Sequence, residues 1–229
     1  MKQRFTTIAL ATALVAGAGW WVAGTGTAPT ETGQAMTLPG AANAQEAASG
    51  EAADATIQEM VLGAEDAPVE MIEYASYTCP HCATFHDGVF EDIKRDYIDT
   101  GKVKFTYREV YFDKYGLWGS LVARCGGEDR FFGITDMIYD TQDTWSRAGS
   151  EAAIAEELRK IGRIAGLESD QLEACLSNNE KARGLIEWYQ VNAEEHGITS
   201  TPSFVIDGET YSNMSYDEFR DILDEKLGS

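Results

Sequence analysis

The feature that most constrains this chain is the run Cys79-Pro80-His81-Cys82, placed where a strand-forming segment hands over to a helix-forming one. Before it, Val69-Glu70-Met71-Ile72-Glu73-Tyr74-Ala75 is short, rich in strand formers and bounded by Asp66-Ala67-Pro68. A short strand over residues 57–62 is expected to pair beside it. After it, Cys82, Phe85, Val89, Ile93 and Tyr97 recur at three- and four-residue steps, the stripe of an amphipathic helix that Thr100-Gly101 ends. Residues 102–110 then alternate as a strand, which completes a βαβ unit with a right-handed crossover onto a parallel pair. Two cysteines spaced in this way at a strand-to-helix turn form a dithiol that cycles with a disulfide.

The helix N-terminus favours an anionic sulfur at Cys79, because its backbone N–H groups are unpaired and carry partial positive charge. Pro80 fits the first turn, where its missing N–H is not needed. His81 is expected to add a second positive charge beside the sulfur and so lower the thiolate's pKa. Cys82, one turn in and on the buried stripe, should stay protonated and resolve the mixed disulfide. Glu73 shares a strand face with Val69, Met71 and Ala75, and a carboxylate in such an apolar row is costly without a partner or a task. The alternative is an edge glutamate facing solvent.

Beyond the βαβ unit, helical patterns cover residues 117–125, 131–139, 151–165, 170–176 and 180–195, with Gly166 and Gly197 placed as helix-terminating glycines. A strand over 203–207, the tight turn Asp207-Gly208, a strand through Tyr211 and a closing helix over 216–227 follow. The economical reading is an α/β fold in which helices at about residues 115–196 interrupt a small sheet.

The N-terminus reads differently. Lys2 and Arg4 precede an uncharged apolar run from Phe5 to Val22, the pattern of an export signal. Residues 1–23 are therefore either a cleaved signal peptide or an anchor that tethers the chain to the inner membrane. Residues 24–55 lack large apolar side chains and are expected to be a disordered linker, with no heptads to drive assembly. Residues 56–229 form the globular part, expected to act as a monomer. A net charge of −20, from 18 basic and 38 acidic residues, repels phosphate backbones and argues against a nucleic-acid partner.

The segment from Glu73 to Cys82, with Thr201-Pro202 ahead of a late strand and a helical insertion between them, resembles the DsbA family of periplasmic thiol:disulfide oxidoreductases over nearly all of residues 56–229. The resemblance implies a thioredoxin fold with an inserted helical domain. It implies that Pro202 is cis and faces the Cys-Pro-His-Cys turn, so that Thr201 presents backbone to a substrate strand. It implies that Glu73 shuttles a proton to or from Cys82, although the basic partner expected on the next strand aligns with Tyr107, and Arg108 lies on the opposite face. The implied activity is insertion of disulfides into reduced, unfolded exported proteins, with a DsbB-like quinone-linked membrane oxidase as the reoxidising partner.

Cys125 and Cys175 are expected to form a structural disulfide, since two thiols of an exported chain do not stay free and the other cysteines belong to the redox pair. Closing about fifty residues, it would contribute about 4 kcal/mol in the chain-entropy description; a second bridge of this kind also resembles an α-proteobacterial branch of the family. No cofactor or metal is expected: Cys79, Cys82 and His86 lack a fourth ligand, and His86 and His196 read as ordinary structural histidines. Trp118, Trp145, Trp188 and the Phe131-Phe132 pair read as core or as groove lining. The competing functions are a disulfide isomerase or reductase of the same superfamily and a non-catalytic chaperone or binding module.

Overall fold

The computed structural model describes residues 57–228. The leader or anchor expected at residues 1–23 and the linker expected at 24–55 lie outside the described residues.

Five strands form one mixed sheet in the order β1-β3-β2-β4-β5. Strand β2 (Val69–Ala75) lies at its centre, parallel to β3 (Val103–Glu109) on one edge and antiparallel to β4 (Ser203–Ile206) on the other. The short β1 (Met60–Leu62) therefore cannot pair with β2 as the sequence suggested, and it adds antiparallel to the outer edge of β3. Asp207 and Gly208, with φ of 45° and 81°, make the tight turn from β4 into β5 (Glu209–Ser212), and positive φ at both positions matches the twist of a two-residue hairpin.

The crossover between β2 and β3 is helical from Pro80 to Ile98, but it is not one regular helix. It runs as α1 (Pro80–Phe85), a π turn (His86–Phe90), α2 (Glu91–Ile93) and a second π turn (Lys94–Ile98). The wider turns shift the apolar stripe, so that Phe90, not Val89, joins Cys82, Phe85, Ile93 and Tyr97 in the core; His86, one regular turn past Cys82, is buried beside them. Between β3 and β4 lie α3 (Lys114–Cys125), α4 (Glu128–Asp140), α5 (Gln142–Trp145), α6 (Glu151–Ile164), α7 (Ser169–Leu176) and α8 (Asn179–Glu195). The helix α9 (Tyr216–Leu227) closes the fold, its start fixed by a reciprocal Ser215–Glu218 capping box. The short α5 was not legible in the sequence; it buries Trp145, whose indole N–H donates to the Ile138 carbonyl at 2.8 Å. Among the described residues no helix is long and apolar enough to cross a membrane.

One face of the sheet packs Met71, Phe105, Tyr107 and Phe204 against Phe85, Phe90 and Phe219, with Phe204 4.7 Å from Phe219 and 4.8 Å from Phe85, ring centre to ring centre. The other face places Tyr74 and Val205 under Tyr189 and Ile198. This is a thioredoxin fold with an inserted helical domain.

The insertion is tied to the sheet by a buried ion pair. Arg124 of α3 forks onto Glu109 at the end of β3, with Nε–Oε1 at 2.6 Å and Nη2–Oε2 at 2.7 Å, and both side chains are 1% exposed. Its remaining Nη1 donates to the Gln58 carbonyl, and the guanidinium lies over the rings of Phe131 and Trp188. Removing one member leaves a buried charge unpaired, so Arg124→Leu should lower stability by about 3–5 kcal/mol in denaturant unfolding, and the double replacement Arg124→Leu/Glu109→Leu should recover most of the loss. A single replacement costing less than about 1 kcal/mol would show that the pair does not anchor the insertion.

Candidate active site

The end of β2 hands the chain to α1 through Ser76, Tyr77 and Thr78, and this turn is held from several directions. The Cys79 amide donates to the Ser76 carbonyl at 3.0 Å, and the Val110 amide donates to Ala75 at 2.7 Å. From α5, the buried Gln142 side chain donates to the carbonyls of Tyr77 (2.8 Å) and Cys79 (3.0 Å). The Thr78 hydroxyl donates to Asp113, which also caps the first turn of α3. Gln142 and Asp113 were absent from the sequence reading, because nothing local to either residue marks it as a partner of a loop more than thirty positions away.

Cys79 is the N-cap of α1, with extended backbone at φ −85° and ψ 117°, and Pro80 follows inside the first turn. The residue is 9% exposed, and its thiol reaches the Thr201 carbonyl at 3.5 Å. The Thr201-Pro202 peptide is cis and lies beside the dithiol turn, just ahead of β4. Cys79 and Cys82 are not bridged to each other, so the site is in its dithiol form.

The two sulfurs differ sharply in environment. The Cys79 pKa is lowered to about 5: its thiolate accepts a hydrogen bond from the Cys82 thiol, and Thr201 and the backbone N–H groups of Cys82 and His81 add to this against the opposing effect of burial. Cys82 is fully buried, and burial first, then its bond to Cys79 and the nearby Glu73 carboxylate, push its pKa up. His81 is exposed, and its backbone N–H at the start of the helix helps hold the Cys79 sulfur as an anion.

Glu73 lies in the apolar row with Val69, Met71 and Ala75 and is 0% exposed. The register sets Tyr107 opposite it on β3. Arg108 faces the other side of the sheet, where it pairs with Glu59 and donates to the Tyr74 hydroxyl at 2.8 Å. The acid's partner is instead His86, whose Nε2 is 2.9 Å from Glu73 Oε2 with both side chains buried. The sequence marks His86 as an ordinary structural histidine, but its N–H bonds the Cys82 carbonyl one regular turn back, which puts it on the buried face beside Cys82, where it meets Glu73. Its ring stacks on Tyr139, with centroids 4.4 Å apart at 22°.

The Sγ atoms of Cys125 and Cys175 lie 2.11 Å apart, bridging α3 to α7 within the insertion. Trp145 and Phe131 are core residues, Trp188 packs between the guanidinium groups of Arg108 and Arg124, and Trp118 lines a groove with Ala152, Ala155 and Leu176.

A low-pKa sulfur at a helix N-terminus, a buried high-pKa partner one turn on and a neighbouring cis-proline thus lie together at one end of a thioredoxin fold. The family model described as thioredoxin matches residues 55–225, and the chain belongs to that family. Within it, the likeness is to DsbA-type proteins. The crystal structure of Wolbachia pipientis alpha-DsbA1 superposes with a TM-score of 0.69 at 26% identity, covering 75% of this chain and 92% of that one. A Rickettsia bellii protein provisionally named protein-disulfide oxidoreductase is 33% identical over 170 residues, covering 74% of this chain and 64% of that protein. The disulfide bond formation protein D of Bacillus subtilis is 29% identical over 178 residues, covering 73% and 76%. The chain spans about three-fifths of the length of the rickettsial relatives it matches.

The sulfur's pKa has a consequence for the reduced state. An ordinary thiol titrates near about 8.5, so the stabilisation that Cys79 confers is full above that pH and is lost as pH falls through about 5. Ultraviolet titration of the reduced protein should show thiolate absorbance with a midpoint near 5. Cys82→Ala removes the leading hydrogen bond and should move that midpoint upward; an unchanged midpoint would show that the Cys82 thiol does not hold the Cys79 anion.

Proposed function

We propose that the chain is an exported protein-disulfide oxidoreductase that works as an oxidase. The observation that carries this reading is the asymmetry of the two sulfurs, with Cys79 ionised at neutral pH and Cys82 protonated. A protein that stabilises its reduced form as a thiolate holds its disulfide as an oxidant. In the forward reaction a substrate thiolate attacks Cys79 Sγ of the Cys79–Cys82 disulfide. Cys82 leaves as a thiolate and takes a proton, and Cys79 carries the substrate in a mixed disulfide. A second substrate thiolate then attacks the substrate sulfur, releasing an oxidised substrate and the Cys79 thiolate. The Thr201 backbone, beside Cys79 at the cis-proline, is suited to pair with an extended substrate segment.

Reduced, unfolded exported proteins are the substrates this chemistry suits, and a DsbB-like quinone-linked oxidase is the reoxidising partner implied by the DsbA likeness. The Cys125–Cys175 bridge supports a periplasmic location, because such bonds persist in oxidising compartments. Export by residues 1–23, and a globular domain from residue 56, belong to the same proposal.

The deciding measurement is the equilibrium potential of the Cys79–Cys82 couple against glutathione, in the parent and in a Cys125→Ala/Cys175→Ala background. The oxidase reading expects a value well above about −180 mV, in the oxidising direction. A value near about −270 mV would overturn it and assign the chain to the reductases or isomerases.

A further inference from the structure

His86 stands between two different environments. On one side, within the core, its Nε2 meets Glu73 Oε2. On the other, its ring forms part of the wall of a cavity of about 330 Å³, shared with Asp87, Glu91, Asp136, Tyr139 and Asp140. A second cavity of about 310 Å³ shares Asp87, Tyr139 and Asp140 and reaches Ala83 and Thr84 on α1.

The pair has an open valence at each end. Glu73 Oε1 and His86 Nδ1 are both buried, and neither has a hydrogen-bond partner. Two buried polar atoms left open in this way are costly, and they need an account beyond packing. A carboxyl and an imidazole joined by one hydrogen bond, each with a free site beyond it, form a two-member proton chain: a proton entering at one open atom moves the bridging proton and releases one at the other.

We propose that His86, acting through Glu73, relays protons between Cys82 and the acidic pocket that His86 lines. The proposal rests on the reading of Cys79–Cys82 as the redox pair and names the route by which its buried member exchanges protons. His86 is a positioning and relay residue, since it touches Glu73 rather than sulfur. The groups around it are consistent with this role. Tyr107 of β3 and Tyr139 of α4 present rings to it, and burial raises both hydroxyls so that they stay neutral. Asp136 and Asp140 face it from α4, and Asp87 and Glu91 from its own helical run. Burial raises the Asp136 pKa, which suits a carboxyl that hands protons on rather than one held permanently ionised, while Lys94 and His86 act in the opposite sense.

The chemistry balances with any small disulfide as oxidant. The Cys79 thiolate attacks oxidised glutathione, forming a Cys79–glutathione disulfide and releasing one glutathione thiolate. The Cys82 thiol then gives its proton to Glu73, its sulfur attacks Cys79 Sγ, and the second glutathione thiolate leaves as the internal disulfide closes. Glu73 returns its extra proton through His86 to the pocket and then to solvent. Only the second step draws on the relay.

The test is rapid mixing of the reduced protein with oxidised glutathione from pH 5 to 8, with acid quenching and mass spectrometry to separate mixed disulfide from closed disulfide. In His86→Gln the amide can still donate to Glu73 but cannot carry a proton. It should form the mixed disulfide at the parental rate and close it about a hundredfold more slowly, at the low end of acid–base effects. In His86→Ala, added imidazole should restore closure, whereas pyrazole, of the same shape but barely basic, should not. Parental closure by His86→Gln, or equal rescue by pyrazole, would overturn the relay and leave His86 a packing residue. If His86→Ala does not fold, the His86→Gln closure rate decides alone. A parent that never takes up glutathione at Cys79 overturns the redox reading itself, an outcome distinct from slow closure.

Discussion

Strand β2 is hydrogen-bonded along both edges, to β3 in parallel and to β4 antiparallel, and the chemistry of the molecule is referenced to that double pairing. Because a strand held on both sides cannot slip by one residue without exchanging its faces, the row Val69, Met71, Glu73, Ala75 is committed to the core. The same pairing fixes where β2 ends, and therefore where α1 begins and where Cys79 projects. It also fixes where β4 begins, which places the Thr201-Pro202 peptide against the sulfur. The positions of Glu73, Cys79 and Thr201 are three consequences of one register.

Upon that frame the two cysteines are set apart by solvation and dipoles. Cys79 occupies the one place in the helix where backbone N–H groups are unspent, while Cys82, three residues later, is enclosed by apolar side chains and faces a carboxylate. Neither sulfur is unusual in itself; the difference in proton affinity arises because one turn of helix spans the distance from a polar rim to a dry core. That difference is what the proposed oxidase chemistry rests on, and it makes proton traffic at the inner sulfur a problem that needs a route. The Glu73–His86 pair lies where such a route is required.

The helical insertion takes part in this more directly than its place in the chain suggests. Gln142 grips the carbonyls of Tyr77 and Cys79, Tyr77 reaches Thr135 of α4 through its hydroxyl at 2.7 Å, and Arg124 locks α3 to the end of β3. The insertion thus holds the active-site turn from one side while the sheet holds it from the other. Its internal Cys125–Cys175 bridge joins α3 to α7 and so acts on the same helix that carries Arg124.

The sequence by itself determined the local elements and the placing of Cys79 and Cys82 at one strand-to-helix turn. Apolar alternation marks β2 and β3, glycines at Gly166 and Gly197 end helices with positive φ, and a dithiol at a strand-to-helix turn can sit only at a helix N-terminus. These are short-range features, encoded within a few residues. Tertiary structure alone decided the rest. The edge that β1 joins depends on which edges of β2 are already occupied. The partner of Glu73 depends on how the helix after Cys82 packs across β2, which no local residue pattern announces. Gln142 and Arg124 matter because of what lies opposite them across the fold. Contacts between distant segments are set by how whole elements pack, so a residue's spacing from its chain neighbours shows which element it belongs to but not what it will touch.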